Sequence, residues 1–70
     1  MDNVKKARFI RLNEVLHRTG LSERTLYRQM SQNIFPKSIN LGGNNVGWLE
    51  HEIDEWINEK VEQSKENNHV

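Results

Sequence analysis

The sequence predicts a mainly α-helical fold with a small β-hairpin, and three observations carry that reading. Two short apolar patterns of helical period flank Gly20, the strand-like alternations Ile39/Leu41 and Val46/Trp48 flank Gly42 to Asn45, and a longer helical period runs from Leu49 to Val61. The chain has 70 residues, enough for one domain with a modest core but too few to enclose a deep active-site cavity.

The elements follow in order. Residues 1–7 are polar and are expected to form a flexible basic arm carrying Lys5 and Lys6. The segment Phe9 to Leu12 leads into the first helix and includes a short strand. That helix spans about Asn13 to Arg18, turns Val15 and Leu16 inward, and stops at Gly20, where a left-handed residue costs little.

A second helix starts after Ser22, whose hydroxyl is placed to cap it. Leu26, Tyr27 and Met30 are its expected inward residues, and it ends at Gln32 or Asn33, ahead of Pro36. Ser38 to Trp48 reads as the hairpin, with Gly42 to Asn45 supplying residues that tolerate positive φ. The last helix covers about Glu50 to Gln63 and places Ile53, Trp56, Ile57 and Val61 on one face. The domain boundaries expected are 1–7 for the arm, 8–62 for the folded domain and 63–70 for a disordered tail.

The formal net charge of zero is an average over unlike halves. Residues 1–37 carry eight Lys and Arg against three Asp and Glu, and residues 38–70 carry two against seven. A polyanion responds to the local field, which decays over about 8 Å at physiological salt, so a neutral total is compatible with binding DNA.

Two helices about a glycine turn, then a hairpin, then a further helix, make a winged helix-turn-helix. In that arrangement the second helix is anchored by one face and offers the other to a major groove of double-stranded DNA. The candidate DNA-binding residues are therefore Ser22, Arg24, Thr25, Tyr27 and Arg28 on that helix, with Lys37, Asn44 and Asn45 at the entrance and tip of the hairpin. Arg24 is the candidate for base readout. Arg28, Lys37 and the Tyr27 hydroxyl are candidates for phosphate, and the two asparagine amides can donate to the backbone. The plain alternatives are solvated helix arginines, a capping Ser22 and a Glu23 that merely complements the helix dipole.

Taken together, "RLNEVLHRTGLSERTLYRQM" and "FPKSINLGGNNVGWLEHEIDEWI" resemble the small phage regulators of the AlpA family, excisionase-like members of the wider MerR-type winged-helix group. The resemblance covers about Arg8 to Lys60. Its telling pieces, in order, are "RTGLS", "TLYR", "FPK", "LGG", "VGW" and "EIDEWI". It implies a DNA-binding regulator of a prophage or genomic island that activates the integrase gene or directs a recombinase towards excision. Such a protein works in the bacterial cytoplasm at the nucleoid, with an integrase, the transcription machinery or further copies of itself on DNA as partners. The sequence departs from the family where Asn44 and Asn45 stand in place of a basic wing residue, and where Glu23 precedes Arg24.

Other classes find little support. There is no cysteine, and His17, His51 and His69 lack a metal-binding spacing, so neither a metal nor another cofactor is expected. Asp54 and Glu55 are adjacent on a helix and face apart, and "LGGNNVG" lacks the lysine of a phosphate loop, so no enzyme is expected. No apolar run approaches the roughly 20 residues of a membrane span. Trp48 and Trp56 are expected in the core with Ile39, Leu41 and Ile53, not as a stacking surface. The rival reading is a protein-docking regulator that binds a transcription factor or recombinase through its acidic last helix.

Overall fold

In the computed structural model, which describes residues 7–67, three helices pack with a small antiparallel sheet. The elements are β1 (Phe9–Ile10), α1 (Leu12–Thr19), α2 (Glu23–Ser31), β2 (Ile39–Gly42), β3 (Asn45–Leu49) and α3 (Glu50–Asn67). Lys5, Lys6, His69 and most of the expected basic arm lie outside the described residues.

Helix α1 buries Val15 and ends at Gly20, which adopts φ +77° and donates its N–H to Leu16 O at 2.8 Å. Helix α2 starts on Ser22, whose Oγ accepts from the Thr25 N–H at 3.2 Å. Its end is set by Asn33, three residues before Pro36. Asn33 takes φ +63°, its N–H donates to Met30 O and the Ile34 N–H donates to Gln29 O. That pair of bonds closes the last turn with asparagine in the left-handed position usually held by glycine.

The connection to β2 is pinned by both indoles. Trp48 Nε1 donates to Pro36 O at 3.2 Å and Trp56 Nε1 to Ile34 O at 3.0 Å, while Phe35 meets the Trp56 ring edge-on at 4.8 Å. A stretch without regular structure is thereby given fixed partners for its carbonyls.

The hairpin gains a third strand. The sheet order is β1-β3-β2, with Phe9 opposite Leu49 and Ile10 opposite Trp48, and with Ile39 opposite Gly47 and Asn40 opposite Val46. A register shift between Asn40 and Gly42 leaves Leu41 as the extra residue. Opposed residues share a face, so Ile10 and Trp48 point into the core while Phe9, Ile39 and Leu41 lie on the outer face and are exposed. The expectation that Ile39 and Leu41 join the core is therefore corrected. Their face is that of Gly47, not of Trp48.

The core is Ile10, Val15, Leu26, Phe35, Trp48 and Ile53, with Leu12, Leu16, Leu21, Met30, Val46, Trp56 and Ile57 packed around it. Trp48 is fully buried as expected, whereas Trp56 is half-buried. Tyr27 is 42% exposed, which corrects its expected inward placement. Helix α3 continues to Asn67, past the end expected at Gln63, because no Pro or Gly interrupts it and its Glu, Lys and Gln residues favour helix. Val61 on this outer half is exposed. Among the described residues no helix is long and apolar enough to cross a membrane.

Candidate nucleic-acid interface

Helix α2 is held by Leu26, which is fully buried, and by the half-buried Met30. At 100° per residue, Arg24 and Arg28 fall near the centre of the opposite side, with Tyr27 and Ser31 flanking them. All four are exposed. The i, i+4 spacing brings the two guanidinium stems to one strip of surface, as a groove-reading helix requires.

Ser22 and Thr25 are placed differently. The Ser22 hydroxyl donates to Thr25 Oγ1 at 3.0 Å while accepting from the Thr25 amide, so the two side chains are engaged with each other at the start of the helix. Thr25 is half-buried. Gly20 swings the chain between the helices, and the Thr19 hydroxyl braces the turn by donating to Val15 O and accepting from the Leu21 N–H.

At the hairpin, Gly42 and Gly43 take φ of +117° and +58°, and Asn44 and Asn45 are exposed at the tip. Asn45 Oδ1 accepts a hydrogen bond from Arg11 Nη2 at 3.3 Å, across the gap between the hairpin and the residue that precedes α1. Arg11 belongs to this surface although sequence reasoning left it among the general basic residues. Only its place at a helix start hinted at a fixed position, and its partner lies far along the chain. Lys37 is exposed on the far side of Pro36, in a groove shared with Ile34, Glu52, Glu55 and Glu59. Among the described residues no hydrogen bond or ion pair joins it to the α2 strip.

The charges sort into two groups. Arg18 is bound to Glu14, Glu50 and Asp54 at 2.9, 2.7 and 3.2 Å, and Arg8 approaches Glu50 at 3.7 Å. The hydrogen bond from Arg18 holds the Glu14 carboxyl below its ordinary value, and the bonds to Glu14 and then Glu50 raise the Arg18 guanidinium. Among the described residues, Arg11, Arg24, Arg28 and Lys37 make no ion pair, and Lys60 sits over the Trp56 ring at 5.3 Å. The fold thus pairs Arg8 and Arg18 with carboxylates and leaves Arg11, Arg24 and Arg28 without an ion pair among the described residues. Among the described residues no cluster of three or more His, Cys, Asp or Glu side chains is arranged to hold a metal ion.

The chain is similar to known proteins over most of its length. Residues 8–61 match the family described as the prophage CP4-57 regulatory protein (AlpA). The chain is 36% identical over 66 residues to the DNA-binding transcriptional activator AlpA of Escherichia coli strain K12, covering 86% of this chain and 94% of that one. It is also 39% identical over 57 residues to an uncharacterized protein, ORF88, of enterobacteria phage P4, covering 81% of this chain. The match spans 65% of the length of that phage protein.

Proposed function

The chain belongs to the AlpA family of prophage regulatory proteins, and from that membership we propose that it is a sequence-specific DNA-binding transcription regulator with a winged helix-turn-helix fold. Its element is a prophage or genomic island, and it acts on the integrase gene, as an excisionase, or both. The observation that carries this reading is the α2 strip: Arg24 and Arg28, exposed and without an ion pair among the described residues, on a helix anchored from behind by Leu26 and Met30.

Arg24, near the start of α2, reads a base edge, and Arg28 and Tyr27 approach the phosphates beside it. Ser22 and Thr25 contribute from the helix start, the Thr25 hydroxyl having its proton to donate. The hairpin is the wing, with Asn44 and Lys37 on the backbone and Asn45 at its tip. One module with so few base contacts discriminates weakly, so working specificity comes from further copies on DNA or from an integrase bound beside it.

The test is retention of fragmented DNA from the source genome by purified protein at near-physiological salt, followed by sequencing. A short repeated site enriched near an integrase gene or attachment site supports the regulator. Retention without sequence preference, or none, overturns the groove-reading assignment.

A second reading is favoured by the groove between residues 33–39 and α3. There Ile34 is 52% exposed beside Glu52, Glu55 and Glu59, which make no ion pair among the described residues. This face suits a transcription factor or recombinase, and reversing the charge of Glu55 and Glu59 separates the readings. Loss of partner response with intact DNA binding assigns docking to α3.

A further inference from the structure

We infer that Arg11 is the phosphate-binding cation of the hairpin, and that Asn45 acts by positioning it. This rests on the DNA-binding reading given above. The hairpin itself, Ile39 to Leu49, contains no charged side chain, so a backbone contact there has only amides to offer unless a cation is brought to it. The structure brings one. Arg11 Nη2 donates to Asn45 Oδ1 at 3.3 Å.

The nature of the partner matters. Arg8 and Arg18 are held by carboxylates, which cancel the charge they would offer a polyanion. Arg11 is exposed and is held by a neutral amide, so it is oriented while keeping its full charge. A guanidinium has five N–H donors. The bond to Asn45 engages one and leaves the others to meet a phosphodiester oxygen with charge-assisted bonds. The same bond occupies Asn45 Oδ1, the atom that would otherwise repel a phosphate.

The ligand is the sugar–phosphate backbone and not a base, because the bond fixes Arg11 at the hairpin, and among the described residues no hydrogen bond or ion pair ties it to the α2 strip. Arg11 therefore adds affinity on every sequence and one counterion's worth of salt dependence.

The experiment is a salt series of binding constants for the full chain and its variants, on a genomic fragment that the wild-type protein retains and on a scrambled fragment. Arg11→Ala should weaken binding on both fragments alike and lower the slope of log K against log salt by about one. Asn45→Ala should weaken binding with the slope unchanged, and should cost nothing further in the Arg11→Ala background. Thermal melts of each variant check folding. If Arg11→Ala does not fold, Asn45→Asp decides. Its carboxylate would neutralise the held guanidinium, and it should lower the slope by at least as much.

Wild-type affinity and slope in Arg11→Ala, or an unchanged slope in Asn45→Asp, overturns the assignment of Arg11. An Asn45→Ala loss of the same size with and without Arg11 overturns the positioning role, since Asn45 would then bind phosphate by itself. If the wild-type chain retains no DNA, the regulator reading falls and takes this inference with it.

Discussion

Arg18 donates through Nη2 to Glu50 Oε2 at 2.7 Å, tying the last turn of α1 to the first turn of α3. The same guanidinium reaches Glu14 within α1 and Asp54 one turn further along α3, and the Glu50 N–H donates to the Arg8 carbonyl. One cation thus holds three carboxylates where the two helices meet. Charges that look like a basic front and an acidic back along the sequence are partly spent on each other.

Replacing Arg18 with alanine should lower Tm, because it leaves three carboxylates close together without their cation. Arg18→Lys should fall between, since an ammonium carries the charge but not the planar fork that serves three partners. Thermal melts in low and high salt check this, and added salt should narrow the gap between wild type and Arg18→Ala.

Acid should act through Glu14. The Arg18 hydrogen bond holds this carboxyl below its ordinary value of 4.5, so the folded pKa lies under the unfolded one. Its contribution to stability is therefore complete above the unfolded value and is lost as pH falls through the folded one. Glu14→Gln should show a flatter decline of Tm than wild type as pH drops below that ordinary value. Parallel curves would assign the acid sensitivity to other groups.

Two glycines should fail for opposite reasons. Gly20 has open space around it but φ of +77°, so Gly20→Ala should cost about 1 kcal/mol through backbone strain. Gly47→Ala meets Leu41 Cδ1 at 3.0 Å and the Ile10 carbonyl oxygen at 3.2 Å. Leu41 can move aside, but the carbonyl belongs to the strand pairing, and overpacking of this kind costs about 1–3 kcal/mol. Asparagine should partly rescue position 20 and not position 47, as read by urea denaturation.

Arg24→Ala should cost about 1–3 kcal/mol on the preferred site and relax base preference at one position. Selection of binding sites from random DNA with wild type and variant makes the comparison. An unchanged preference profile would remove Arg24 from the reading role.

Lys37→Ala should weaken binding similarly on all sequences and lower the salt slope by about one. Its place beside Glu52, Glu55 and Glu59 makes this a sharp test, because a lysine engaged with those carboxylates would leave the slope unchanged.

Local signals made most of the fold legible. Gly20 and Ser22 mark the turn and the cap because their chemistry acts within a few residues, and the glycines of Gly42 to Asn45 mark the hairpin for the same reason. Helical period placed Arg28 on an outward face with Thr25 and Gln32, and Arg24 on its flank; both arginines are exposed, whereas Thr25 is half-buried. Tyr27 was misplaced, since an amphipathic ring at the edge of an apolar face fits either side. The burial of Ile39 and Leu41 was misread because period-two alternation gives two faces without saying which one is covered. That choice depends on β1 pairing Ile10 with Trp48, a relation between distant residues. Arg11 was missed on the same ground.

The pairing of Phe9 with Leu49 also sets an order of assembly. The β2–β3 hairpin closes locally, and such hairpins form in about 1–10 μs. Strand β1 must wait until the intervening chain has compacted, because joining its ends earlier forfeits loop entropy before any contact compensates for it. With only two residues, β1 offers few bonds to hold that closure. It is therefore the last piece to dock and the first to release, so the core that anchors α2 is complete only when β1 reaches β3.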